Sequence, residues 1–237
     1  MKLKKKFFKL LKKIFINIRF FCTSYKYKFD SGLDFDKLSD QFNVLNFKPF
    51  IGTKDFFLSR NECDYIKSIS KEKLERSKVH YQNNKKKNVS NLRSSSSYLM
   101  NVNEDKVVFN IIKRISNLIG LDSKLIEYVE VSLYEEGQFF AHHLDSYNKE
   151  YILEKIENKN KFLQRVFTVI CYLNTPEDGG ITSFPNLNKK VFPAVGKLLA
   201  FENTKRNTLS TNYDSLHGGD PVFKGEKWIL STWFFNN

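Results

Sequence analysis

Apolar residues recur along this chain with two different periods. From Leu3 to Phe21 the spacing is helical. At ~100° per residue, Leu3, Phe7, Leu10, Leu11, Ile14, Ile18 and Phe21 fall on one stripe. Lys2, Lys5, Lys6, Lys9, Lys12, Lys13 and Arg19 fall opposite, while Lys4, Ile16 and Phe20 break the division. Ser59-x-x-Glu62 forms a capping box and predicts a helix in which Cys63, Ile66 and Ile69 share a face. Val108, Ile111, Ile112, Ile115 and Leu118 repeat the helical spacing, with Gly120 placed to end that helix.

From about Tyr128 the period falls to two. Short strand-like runs follow at 128–135, 165–173, 181–184, 197–202 and 227–235, with turn signals such as Asp178-Gly179-Gly180 and Lys224-Gly225 between them. Helices followed by many short strands predict an α+β fold with a sandwich or barrel of jelly-roll type. Residues 29–46 read as a linker with one short helix near Asp36–Phe42, and Lys48–Leu58 as a short strand and turn. The polar stretch 82–97, with Lys85–Lys87 and Ser94–Ser97, reads as a loop. The expected organisation is an arm and linker at 1–46, a helical buttress at 47–126 and a strand-rich core at 127–237.

Composition narrows this picture. Apolar residues make up 41% and charged residues 27% of 237, which excludes a disordered chain, a collagen-like repeat and a multi-span membrane protein. The net charge of +13 suggests nucleic acid or a membrane surface. Residues 1–28, however, hold ten basic side chains and no acid, leaving 29 basic against 26 acidic residues in the rest. The charge belongs to the arm and the body is near neutral. A basic amphipathic helix suits the headgroup boundary of an anionic membrane. A solvated tail, or the basic and apolar parts of a signal or anchor segment, fits the same residues, so a cytoplasmic, peripheral or anchored location stays open. The longest apolar stretch, Ile14 to Cys22, contains Arg19 and is far short of the ~20 residues that span a bilayer. Cys22, Cys63 and Cys171 have neither disulfide-framework nor zinc spacing and read as buried or incidental thiols.

The candidate chemistry lies in the strand-rich part. His143 and Asp145 are two apart, so in extended structure both reach one side. His217 follows in another strand-rich run. Two imidazoles and one carboxylate on one face form the facial triad of non-haem Fe(II) oxygenases, which leaves positions for a bidentate cosubstrate and dioxygen. His142 points the other way. Alternation puts Lys227, Ile229, Ser231 and Trp233 on one face. A lysine aimed into an apolar barrel needs an anion, and the distal carboxylate of 2-oxoglutarate would supply one. A solvated lysine in the Lys224–Lys227 turn is the alternative.

Six segments together carry a resemblance: FLSRNEC at 57–63, LRSSSSYL at 92–99, YEEGQFFAHHLD at 134–145, RVFTVICYLNTPEDGGITSFP at 165–185, VFPAVGKLLAFEN at 191–203 and SLHGGDPVFKGEKW at 215–228. In this order the chain resembles the prolyl 4-hydroxylase family of Fe(II)/2-oxoglutarate dioxygenases over roughly residues 48–237. The resemblance implies a double-stranded β-helix supported by N-terminal helices. It implies that His143, Asp145 and His217 hold iron, that Lys227 binds 2-oxoglutarate, and that Tyr172 and Thr182 add hydroxyl contacts to it. Arg165, Trp233 and Tyr134 would lie towards the substrate. The implied activity couples decarboxylation of 2-oxoglutarate to succinate with hydroxylation of a prolyl residue, using O2, with ascorbate to restore idle iron. The implied partner is a proline-containing peptide or protein. Phe140 stands where many members have tyrosine, which bears on the substrate, and the long polar connection 146–164 suits a lid over it. Three alternatives remain at this stage: the same chemistry on another residue or small molecule, a nucleic-acid oxygenase, and a jelly-roll binding module without catalysis. Nucleic-acid oxygenases of this kind usually present arginine rather than lysine to the cosubstrate, and the near-neutral body also argues against nucleic acid.

Overall fold

Helices form where the sequence places their signals. The computed structural model describes residues 7, 10–20, 33–80, 87–88, 91–157 and 164–236. Among them α1 covers 10–20, α2 Phe35–Gln41, α3 Arg60–Ser70, α4 Lys106–Ile119 and α5 Lys149–Glu157. Ser59 caps α3 and Glu62 returns the bond, completing the expected box. Asp105 caps α4 by accepting from the Val107 and Val108 amides. That helix ends at Gly120, whose φ of 83° is the left-handed conformation glycine adopts without steric cost. No described helix is long and apolar enough to cross a membrane.

The strands, in chain order, are β1 Asn43–Phe47, β2 Phe50–Lys54, β3 Glu75–Arg76, β4 Val79–His80, β5 Lys87–Asn88, β6 Ser96–Met100, β7 Ile126–Tyr134 and β8 Phe140–His143. They continue with β9 Arg165–Tyr172, β10 Asp178–Gly179, β11 Thr182–Phe184, β12 Lys189–Val191, β13 Leu198–Glu202, β14 His217–Gly219, β15 Val222–Lys224 and β16 Lys227–Phe235. An eight-stranded antiparallel sheet runs β1-β2-β13-β9-β16-β7-β6-β3. A four-stranded sheet runs β12-β11-β14-β8, with two-stranded pairs β10-β15 and β4-β5 beside them. The two larger sheets make the expected jelly roll.

The large sheet is covered on both faces, and strand alternation assigns each side chain to one of them. Phe167, Val169 and Cys171 of β9 and Trp228, Leu230 and Phe234 of β16 pack with α3 and α4 residues such as Cys63, Ile66, Val108, Ile111 and Ile115. Ile170, Tyr172 and Ile229 point the other way, into a second core with Phe184, Leu199 and Phe201 between the sheets. Burying each such side chain contributes roughly 1.5–3 kcal/mol. The helices therefore fix the back of the sheet, and the front is free to carry chemistry.

Four sequence expectations change. The linker ends earlier than expected, because β1 pairs with β2 as a hairpin at the sheet edge. The stretch 47–126 is not purely helical, since β2, β3 and β6 all join the large sheet. Ser96 and Ser97, read as loop, pair with Leu133 and Ser132 of β7. Their serine run has no apolar alternation to betray a strand. The polar connection 146–164 contains α5, held by Ile152 and Leu153 against Phe20 and Leu209. Cys63 and Cys171 are free and buried, and burial pushes the Cys63 thiol up to about 11. Cys22 lies outside the described residues.

Candidate active site

In the four-stranded sheet the register places His217 opposite His143. Asp145 follows two residues after that histidine, just beyond β8. One ligand atom from each of the three lies within 4.8 Å of the others, and they form a single potential metal cluster among the described residues. His143 Nε2 is 3.5 Å from Asp145 Oδ1, and His217 Nε2 is 3.6 Å from Asp145 Oδ2. Each imidazole is fixed from behind. His143 Nδ1 donates to the Ala141 carbonyl at 2.9 Å and His217 Nδ1 to the Ser215 carbonyl at 3.0 Å. With the proton held on Nδ1, the Nε2 lone pairs face Asp145, as metal ligation requires.

The carboxylate is fixed as well. Thr168 Oγ1 donates to Asp145 Oδ2 at 2.7 Å, and Asn203 Nδ2 donates to Thr168 Oγ1 at 2.7 Å. Burial opposes charge on Asp145, but the two histidines overcome it and hold the carboxyl far below its usual range. Burial, aided by His143, lowers His217 to about 4. The site therefore presents a charged carboxylate and a neutral His217 imidazole near neutral pH. Two imidazoles and one carboxylate, with no fourth side chain in the cluster, suit Fe(II) with coordination positions left for other ligands.

Lys227 begins β16, opposite Tyr134 of β7, and its side chain is 3% exposed. Its ammonium lies 5.5 Å from the Tyr134 ring centre and 5.7 Å from that of Tyr172, and it has no ion-pair partner among the described residues. Burial lowers it to about 8, against the attraction of Asp220. Lys227, Thr182, Tyr134, His143, Asp145 and His217 line one inner pocket of ≈ 50 Å³. A buried cation without a counterion, beside a metal-binding cluster, fits a small dicarboxylate that chelates the metal at one end.

The comparisons agree with this chemistry. The model of the 2OG-Fe(II) oxygenase superfamily matches residues 129–235. Prolyl 4-hydroxylase 2 of Arabidopsis thaliana is 31% identical over 207 residues, covering 78% of this chain and 67% of that protein. Prolyl 4-hydroxylase 5 of the same plant is 31% identical over 210 residues, covering 81% and 70%. The chain belongs to the prolyl 4-hydroxylase family. It is accordingly a dioxygenase that uses Fe(II) and 2-oxoglutarate. Among solved structures, the viral collagen prolyl hydroxylase of Paramecium bursaria Chlorella virus-1, in its 2OG complex, superposes with a TM-score of 0.61 and 26% identity. That match covers 78% of this chain and 95% of the viral one.

Prolyl 4-hydroxylases must also receive a substrate, and here a cleft of ≈ 670 Å³ opens onto His143 and Asp145. Arg165 and Trp233 line it. The Arg165 guanidinium lies 4.8 Å from the Trp233 ring centre and 5.1 Å from that of Tyr147. It pairs with Glu127 at 2.5 Å and donates to the Tyr128 hydroxyl at 2.9 Å. Trp233 Nε1 is buried without a hydrogen-bond partner. Tyr134, expected towards the substrate, sits instead in the inner pocket beside Lys227, because β7 turns its last residue inward. Thr182 lines that pocket and accepts a 2.7 Å bond from the Tyr172 hydroxyl, so Tyr172 stands behind Thr182. His142 points away, as alternation requires, with Nε2 3.2 Å from Ser183 Oγ.

Thr168 and Asn203 escaped the sequence reading, and so did a third residue, Arg93. Arg93 is buried and bonds Ser95 Oγ at 2.9 Å, Glu130 at 2.5 Å and Ser132 Oγ at 2.8 Å. Its guanidinium lies 5.0 Å from the Phe140 ring centre, and that ring stacks on His143 at 3.7 Å and 15°. The available signal was Glu130 and Ser132, two polar residues within an apolar strand.

Proposed function

We propose that this chain hydroxylates prolyl residues of a peptide or protein, with His143, Asp145 and His217 holding Fe(II) and Lys227 pairing with the distal carboxylate of 2-oxoglutarate. The observation that carries the reading is the buried ammonium of Lys227, with no ion-pair partner among the described residues, sharing one pocket with the three-residue cluster. When bound, Fe(II), 2-oxoglutarate and O2 supply the chemistry: loss of CO2 to give succinate, and transfer of one oxygen atom into a substrate C–H bond.

The chain's own residues position those reactants. Hydrogen bonds to the Ala141 and Ser215 carbonyls keep both imidazoles aimed inward. Thr168 occupies one oxygen of Asp145 and favours ligation through the other. The Tyr172 hydroxyl donates to Thr182, so the Thr182 hydroxyl proton is free to turn towards the inner pocket. On the outer side the aromatic rings around Arg165 offer flat faces to a proline ring. Phe140 stacks on His143 without bringing a hydroxyl to the cleft, so the peptide is met there by an apolar edge.

The test is turnover with Fe(II) and 2-oxoglutarate on a panel of proline-rich peptides, read by mass spectrometry. A gain of one oxygen on proline, matched by succinate, is expected. Oxygen gained only on another residue, on a free small molecule or on nucleic acid would overturn the prolyl assignment while keeping the chemistry. Undiminished turnover in His143→Ala would overturn the iron assignment.

A further inference from the structure

We propose that the outward face of α1 is a docking surface for an anionic lipid bilayer, seated in the headgroup region rather than across the membrane. Helix 10–20 touches the body through the two apolar residues that break its amphipathic pattern. Phe20, 3% exposed, packs with Ile152, Leu153 and Leu209, and Ile16 lies against the same cluster. Lys149 Nζ donates to Asn17 Oδ1 at 3.0 Å and lies 5.5 Å from the Phe20 ring centre.

At ~100° per residue, Ile16 and Phe20 fall on the side opposite Leu10, Leu11, Ile14, Phe15 and Ile18. Those five remain 44–65% exposed. A helix serving only the core would bury its wide apolar face and expose the breaks. Here the anchoring is reversed, and the stripe is presented outward as a contiguous apolar patch of the kind that marks an interaction surface.

Charge selects the occupant. Lys12 and Lys13 lie on the same helix, exposed, and no acidic residue occurs before Asp30. Both lysines fall away from the stripe, on the polar side of the helix, and an outward apolar face backed by a basic polar face suits the boundary between anionic headgroups and acyl chains. A second copy of the chain would instead bring like charges together. The docking cluster also contains Tyr147, which lines the substrate cleft, so a membrane-seated α1 would hold the cleft mouth near the bilayer.

The experiment is co-sedimentation of the full chain with vesicles of phosphatidylcholine, with and without phosphatidylserine. Binding is expected on the anionic vesicles, weakening as salt rises. The variant Ile14→Ser/Phe15→Ser/Ile18→Ser should lose partitioning about a hundredfold and keep its turnover of a soluble peptide. The variant Ile16→Ser/Phe20→Ser alters the opposite face and should retain vesicle binding. Wild-type binding by the first variant would overturn the proposal, as would equal losses in both. A wild-type dimer that ignores vesicles and becomes monomeric in the first variant would also overturn it, and would assign the stripe to self-association.

Discussion

Asp145 shows how little of a metal site resides in the ligands alone. Its carboxylate is oriented by Thr168, itself oriented by Asn203. Replacing Thr168 by Val keeps the shape and removes the donor. Metal affinity should fall about 10–100-fold, measured by Co(II) titration, with the fold retained by circular dichroism. If Lys227 pairs with the distal carboxylate as proposed, Lys227→Ala would leave that carboxylate unpaired and should raise the apparent Kd for 2-oxoglutarate about 10²–10³-fold. The sign of the pH effect follows from the same group. Burial lowers Lys227 to about 8, so the free site loses its positive charge as pH rises through that value. Affinity for 2-oxoglutarate should be flat below about pH 8 and weaken above it by up to about tenfold per pH unit, as calorimetry would read. The convergence of His143, Asp145 and His217 and the inward placing of Lys227 were legible because short motifs and strand alternation fix where these side chains go. Thr168, Asn203 and Arg93 were not. Their roles arise from the register of strands distant in sequence, and threonine, asparagine or arginine alone announces nothing.

Among the elements, α3 and α4 were legible to within a residue or two, because capping and apolar period act locally. The misread elements were those whose stability is supplied from elsewhere. Serine-rich β6 takes its pairing from β7, and the residue before it, Ser95, has its hydroxyl bonded to Arg93 and Ser77. Helix α5 takes its apolar partner from Phe20, more than a hundred residues away. The approach of β14 to β8 depends on Gly218. A Cβ there would lie 2.8 Å from His142 Cδ2 and 3.0 Å from the Phe140 carbonyl oxygen. Gly218→Ala should therefore push His217 away from His143, costing about 1–3 kcal/mol of stability and weakening metal binding more than His142→Ala does. The two variants compared by thermal melting and Co(II) titration would decide this.

At the scale of the whole molecule, the two cores share one sheet, so filling the front should stiffen the back. Metal at a hundred times its dissociation constant should stabilise the fold by about 2.7 kcal/mol, raising Tm by roughly 5–10 °C. Asp145→Ala should abolish the shift, which scanning calorimetry would detect. The net charge of +13 also takes its meaning only at this scale, as a property of an arm attached to a near-neutral catalytic body. The alternation of β9 and β16 has a consequence for the gene. From Phe167 to Tyr172 of β9, Phe167, Val169 and Cys171 face the helices, while Thr168, Ile170 and Tyr172 face the site. In β16 the parity is reversed, with Trp228 and Leu230 behind and Lys227 and Ile229 in front. A saturation library across both strands, scored separately for cellular abundance and for turnover, should split codon by codon. Variants at the helix-facing codons would lose protein, and variants at the alternate codons would leave protein that no longer works.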